Sequence, residues 1–176
     1  TGEVMKRARV THVITDPYTD PMLDAREAFG ENYYSVFRVN AFAMGWHPEA
    51  RDHNGNSPFD YAKRLGVALN SFEDFEALLE RAVDTMAVRN QVALKNALAY
   101  DRDVCFDEPN SALARRAWGA VNPSAEERKA FGDFAVDRLC ALAGERDIPM
   151  QMHLGTALIR GSHPLNAAGL IERHPR

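Results

Sequence analysis

A chain of 176 residues that is 45% hydrophobic and 26% charged can bury the core of one domain, and its composition excludes a disordered segment. The formal net charge is −4 and the basic residues are scattered, which gives no electrostatic footprint for nucleic acid. No apolar stretch approaches the ~20 residues of a membrane-spanning helix, and no signal-peptide pattern opens the chain, so no membrane partner is expected. Cys105 and Cys140 lack metal-type spacing, and Cys140 lies in an apolar helical pattern; both read as reduced thiols of a cytoplasmic protein.

Val10 to Asp16 is rich in β-branched residues and stops at Asp16-Pro17, the pattern of a strand followed by a turn. Asp20 to Phe29 predicts a short helix closed by Gly30, and Tyr33 to Asn40 a second strand. A polar connection, Gly45 through Pro58, carries Trp46, His47, Arg51 and His53, and its length marks it as a candidate functional loop. Ser71 and Asp74 open a helix running toward Arg89, with Phe72, Phe75, Leu78, Leu79, Ala82, Val83 and Met86 on one stripe. Val92 to Tyr100 is a mostly apolar run, read as a strand, ending in Asp101-Arg102-Asp103. One helix begins near Ser111 and another at Pro123-Ser124, where Ser124 and Glu127 form a capping box and Phe131, Phe134, Ala135, Leu139 and Leu142 the buried face. A short apolar strand follows from Ile148, ending in His153 and Gly155, and Pro164 to His174 is a last helix.

Strands alternating with helices, themselves lacking polar alternation, predict a parallel sheet covered by helices. Four such units fall short of a closed (β/α)₈ barrel of ~250 residues. The expected architecture is therefore either an open sheet or part of a longer barrel, and the second is favoured.

Lys95 interrupts its apolar run, where an unpaired charge is expensive. In strand alternation it shares a face with Ala93, Ala97 and Ala99, which leaves its side chain room to reach a pocket as a catalytic group; the alternative is a partner Asp or Glu holding two strands together. Arg38 shares its face with Tyr34 and Val36 and suits either a substrate carboxylate or an ion pair. Tyr100, Asp101 and Arg102 end the Lys95 strand and would rim a barrel pocket, with Tyr100 and Arg102 as candidate substrate contacts. His153 at a strand end is either a metal ligand or a core histidine satisfied by a carbonyl. His47 and His53 read as exposed, and His163 and His174 flank the last helix. The chain has no His-x-His, His-Glu-x-x-His, Cys-x-x-Cys, phosphate loop or Gly-x-Ser-x-Gly elbow, and one histidine alone makes no metal site.

Ala93 to Arg102 resembles a strand of the amidohydrolase-related family, within the metal-dependent amidohydrolase superfamily. Pro149 to Gly155 resembles that family's Pro-x-Gln-x-His-x-Gly strand, and Asn166 through Arg173-His174-Pro175 is similar to the loop and Arg-x-Pro helix end that follow it. The resemblance implies a partial TIM-type (β/α)₈ barrel, about strands 2 to 5 with their helices, forming one incomplete α/β barrel domain over residues 1–176. It implies one or two divalent metals, zinc or manganese, with His153 as the fifth-strand ligand and Lys95 where some members carry a carboxylated lysine. The family's His-x-His, later histidine and aspartate have no counterpart in this chain.

The implied activity is hydrolysis of a C–N or C–O bond in a small-molecule substrate by metal-activated water, with this chain inactive by itself. Relatives also include decarboxylases and uronate isomerases, and some are joined to glutamine-synthetase-like domains, which makes an inactive binding or regulatory barrel a second expectation. An unrelated open α/β domain is a third. A half barrel would leave two sheet edges unpaired, so either a second copy of the chain (a homo-oligomer) or further chain should cover them.

Overall fold

The computed structural model describes residues 2–155 and 160–175. Four parallel strands lie in the order β1 (Val13–Thr15), β2 (Tyr33–Arg38), β3 (Gln91–Asn96) and β4 (Met150–Met152), and the sheet curls into a half-barrel. Each connection returns through helix, as parallel pairing requires. These helices are α2 (Ala25–Phe29) between β1 and β2; α3 (Asn40–Met44), α4 (Pro58–Leu65) and α5 (Phe72–Asp84) between β2 and β3; and α6 (Ser111–Ala117) and α7 (Ala125–Glu145) between β3 and β4. Helix α1 (Gly2–Arg7) precedes β1 and α8 (Ala168–Arg173) follows β4. No helix among the described residues is long and apolar enough to cross a membrane.

Strand alternation divides the sheet between two environments. Phe37, Leu94 and Met150 point to the helical layer, where Phe37 and Leu94 are fully buried with Phe75, Leu78, Leu79, Phe131, Leu139 and Leu142. Val36, Ala93, Lys95 and Gln151 line a cleft on the opposite, concave face. Register fixes their order: Arg38 lies opposite Lys95, and Lys95 opposite Gln151. A shift between Ser35 and Val36 sets the β2–β3 register.

Both capping boxes form as their sequences predict, Ser71 with Asp74 at α5 and Ser124 with Glu127 at α7. Several boundaries differ from expectation. The first strand is only Val13–Thr15, and the helix expected from Asp20, α2, starts at Ala25 because the Asp24 carboxylate accepts from the Arg26 and Glu27 amides. The second strand ends at Arg38, since Asn40 already opens α3. Helix α4 was not expected: Pro58 is its first residue and Ser57 its N-cap, so the polar connection ends one residue earlier than its composition suggests.

The largest difference concerns Val92 to Tyr100. The strand stops at Asn96 and Leu98–Tyr100 forms a 3₁₀ turn, with Ala97 and Ala99 fully buried in the core. Only Ala93 of the three alanines shares the Lys95 face. Asn96 forces the break by turning its own carbonyl oxygen Oδ1 onto the Leu98 amide, a local bond that competes with the ladder.

Gly45 joins α3 to the polar loop where no side chain fits. A Cβ there would sit 2.1 Å from Pro58 Cδ and 2.7 Å from the Ala41 carbonyl oxygen. Gly45→Ala is expected to cost about 2–3 kcal/mol by displacing the start of α4, measured as a lowered urea midpoint at unchanged m-value.

Candidate active site

The C-terminal ends of the strands bring four of the chain's polar side chains to one place. Asp16 follows β1, Arg38 ends β2, Lys95 lies in β3, and His153 follows β4. Asp16, Lys95 and Gln151 line the cleft of about 420 Å³ with Ile14, Thr15, Val36 and Ala93. The floor is apolar and the upper rim charged.

Arg38 and Asp16 form a two-point ion pair, Nε to Oδ1 at 3.2 Å and Nη2 to Oδ2 at 2.5 Å, and the guanidinium also sits over the Tyr18 ring. Arg38 is thus paired with Asp16 across two of its guanidinium nitrogens. Lys95 differs. The residue is 8% exposed, and among the described residues its ammonium has no hydrogen-bond or ion-pair partner. Burial holds its pKa below the ordinary lysine value; Asp16 opposes this and Arg38 adds to it.

His153 is half-buried, and its amide donates to the Asn96 carbonyl at 2.8 Å. Burial lowers its pKa, with the charges of Lys95 and then Arg38 acting in the same direction and Asp16 against them. The imidazole is therefore biased to its neutral form. Replacing Lys95 by methionine is expected to raise the midpoint of the His153 resonance in a pH titration followed by NMR, because it removes a neighbouring positive charge. An unmoved midpoint would place the two groups apart.

Tyr100 stands between two imidazoles, its ring centroid 4.9 Å from that of His153 and 4.9 Å from that of His53. His53 is an exposed loop residue, as expected, and it is also anchored: its Nδ1 lies 2.9 Å from Oδ2 of Asp101, while its amide donates to Oδ1 at 2.7 Å. The Asp101 carboxylate is 4% exposed and also accepts from Asn40 Nδ2 at 2.7 Å, and Asn40 Oδ1 accepts from the Ala97 amide. This network ties the polar loop to the ends of β2 and β3.

Arg102 is not brought to the cleft. Its guanidinium donates to Asp133 Oδ1 at 2.7 Å and to the Lys129 and Cys105 carbonyls, fixing the turn after β3 against α7. His174 and Arg173 both bind Asp137 and hold α8 to α7, and His163 accepts from the Leu165 amide. Asp16 was the residue sequence reasoning missed. The signal for Asp16 was an acid at a strand end, one strand from an arginine at the equivalent level.

Among the described residues no three His, Cys, Asp or Glu side chains cluster as a metal would need. The single imidazole is flanked by cations, and the nearest carboxylate is held by Arg38. These residues do not by themselves fit the zinc or manganese ion the resemblance implies, and His153 is not assigned as a ligand.

No family model and no curated protein matches the chain. Solved structures do. A uronate isomerase from Thermotoga maritima superposes with a TM-score of 0.65 at 17% identity, over 86% of this chain and 34% of that chain. A glucuronate isomerase from Caulobacter crescentus gives 0.65 at 11% identity, over 85% and 32%. The chain shares the fold of uronate isomerases. It spans about a third of the length of the solved structures it matches, and identities this low establish the fold alone. The half-barrel is thus like part of an uronate-isomerase barrel, and its cleft lies at the strand ends where barrel enzymes place their chemistry.

Proposed function

We propose that this chain is part of a uronate-isomerase-like barrel enzyme, one that interconverts the aldose and ketose forms of a small sugar acid. The observation that carries this reading is the Lys95 ammonium, mostly buried and without a contact partner among the described residues, beside an imidazole biased to its neutral form. Aldose–ketose conversion shifts a proton between adjacent carbons and passes negative charge onto an oxygen. A neutral imidazole suits the proton transfer. A fixed cation in a cleft with an apolar floor suits the charged oxygen, and it attracts the substrate's carboxylate as well.

In this reading Lys95 orients the substrate and stabilises the developing charge, and His153 moves the proton. Tyr100, its ring against that of His153, offers its hydroxyl to the sugar. Arg38 acts through its charge and by holding Asp16, and Arg102 has no direct role. The open edges of β1 and β4 are where the remaining strands of the barrel would pair, supplied by further chain or by a second copy. Metal-dependent hydrolysis, the reaction first expected, has His153 and Lys95 in its favour but no cluster of three ligand side chains among the described residues.

The test is to incubate the purified full-length protein with hexuronates and follow aldose–ketose interconversion by NMR, in parallel with amide and lactone substrates. Interconversion without hydrolysis is expected. Hydrolysis alone, or neither reaction, would overturn the reading.

A further inference from the structure

The chain has four lysines, and their surroundings differ. Lys6 and Lys63 are exposed on α1 and α4. Lys129 donates at 2.6 Å both to Asp107 and to Asp133 and is held as an ammonium. Lys95 is buried, lacks a contact partner among the described residues, and lines a cleft with Ile14, Val36 and Ala93.

We propose that Lys95 is a reactive amine that condenses with a small carbonyl compound, an aldehyde or a keto acid, held in this cleft. This goes beyond the isomerase reading and does not rest on it. The geometry favours reaction over simple charge pairing. An amine in no carboxylate ion pair among the described residues can release its proton, and burial of the side chain disfavours the charged form. Asp16 is the counter-charge within reach, and Arg38 already binds it. The charged or titratable groups acting on the amine are Asp16 from the end of β1, Arg38 from β2 and His153 from the end of β4, while Gln151 on β4 is neutral. Burial and Arg38 together outweigh Asp16, so the neutral amine is easier to reach here than at the exposed lysines.

In the reaction the Lys95 nitrogen lone pair attacks the carbonyl carbon, and a proton passes from nitrogen to oxygen to give a carbinolamine. Loss of water then forms the C=N bond. The sum is amine plus carbonyl giving imine plus water, with no oxidant or reductant required. The cleft volume of about 420 Å³ accommodates a compound of a few carbons.

The experiment treats the purified protein with glyoxylate, traps imines with cyanoborohydride, and measures the labelling rate of each lysine by peptide mass spectrometry. Lys95 is expected to label roughly tenfold faster than Lys6 and Lys63 at neutral pH, and to remain reactive at lower pH than they do. Its rate should saturate with glyoxylate concentration, because the carbonyl is bound before it reacts, whereas the rates at Lys6 and Lys63 should rise linearly. Labelling at Lys95 no faster than at the exposed lysines, or without saturation, would overturn the proposal. Lys95→Arg should remove the saturable label, and the wild-type map stands by itself if that variant does not fold. The labelling requires no turnover, so an inactive isomerase assay and an unreactive Lys95 are separate outcomes.

Discussion

Replacing Lys95 by methionine is expected to lower aldose–ketose turnover about a hundredfold or more, the loss seen when a single donor to a developing oxyanion is removed. The same change should raise stability by about 1 kcal/mol, a modest figure because the ammonium still meets the cleft. The stability gain follows from the sign of the pKa shift. Lys95 titrates lower in the folded chain than in the unfolded one. Across the lysine range the unfolded state therefore binds more protons, and stability climbs as pH rises through it. The cost of Lys95 is present at neutral pH and disappears above the ordinary lysine pKa. In Lys95→Met that climb should flatten. Urea unfolding of both proteins at neutral and high pH, together with the NMR turnover assay, measures both halves. A variant both less stable and equally active would show Lys95 to be a structural strut. Stability given up at one position for a charge in a cleft is the usual mark of a functional group.

Phe131→Ala is expected to cost about 3–5 kcal/mol, the range for emptying an aromatic site in a packed core. Phe131 is fully buried, and its ring lies 4.9 Å from that of Phe75 and stacks on Trp118 at 6.0 Å. It comes from α7, Phe75 from α5 and Trp118 from the C-cap of α6, so one ring joins all three helices. That cluster lies under β2 and β3, where Phe37 and Leu94 meet it from the sheet. Phe29→Ala, at an exposed ring, should change stability by less than about 0.5 kcal/mol. Equal losses at the two positions would show that the α5–α6–α7 contact is not the mechanical centre of the fold. Loss of this contact would also loosen α7 beneath the Asp133 carboxylate, which holds Arg102 and the turn after β3.

The half-barrel and the isomerase-type fold came through in different ways. Strand and helix order, the two capping boxes and the Phe75–Phe131 stripes were legible because helix periodicity and cap chemistry are local properties. The resemblance of Pro149 to Gly155 pointed to a barrel strand, and the comparison with solved structures supports that architecture. Helix α4 was hidden because Ser57-Pro58 looks like a loop until the residues after it are seen to bury Tyr61 and Ala62.

The sequence by itself determined which side chains carry charge within apolar strands: Arg38, Lys95 and His153 stand out because a charge or an imidazole in such a run is costly and needs a reason. Only the tertiary structure decided what each does with that charge. Asp16, 22 residues from Arg38 along the chain, neutralises it, while Lys95 lines the cleft with no ion-pair partner among the described residues. Arg102 turns away to Asp133, and His53 is gathered in by Asp101 across 48 residues. Pairing of this kind depends on strand register and on the curl of the sheet, which arise from contacts between distant segments and leave no periodic trace in the chain.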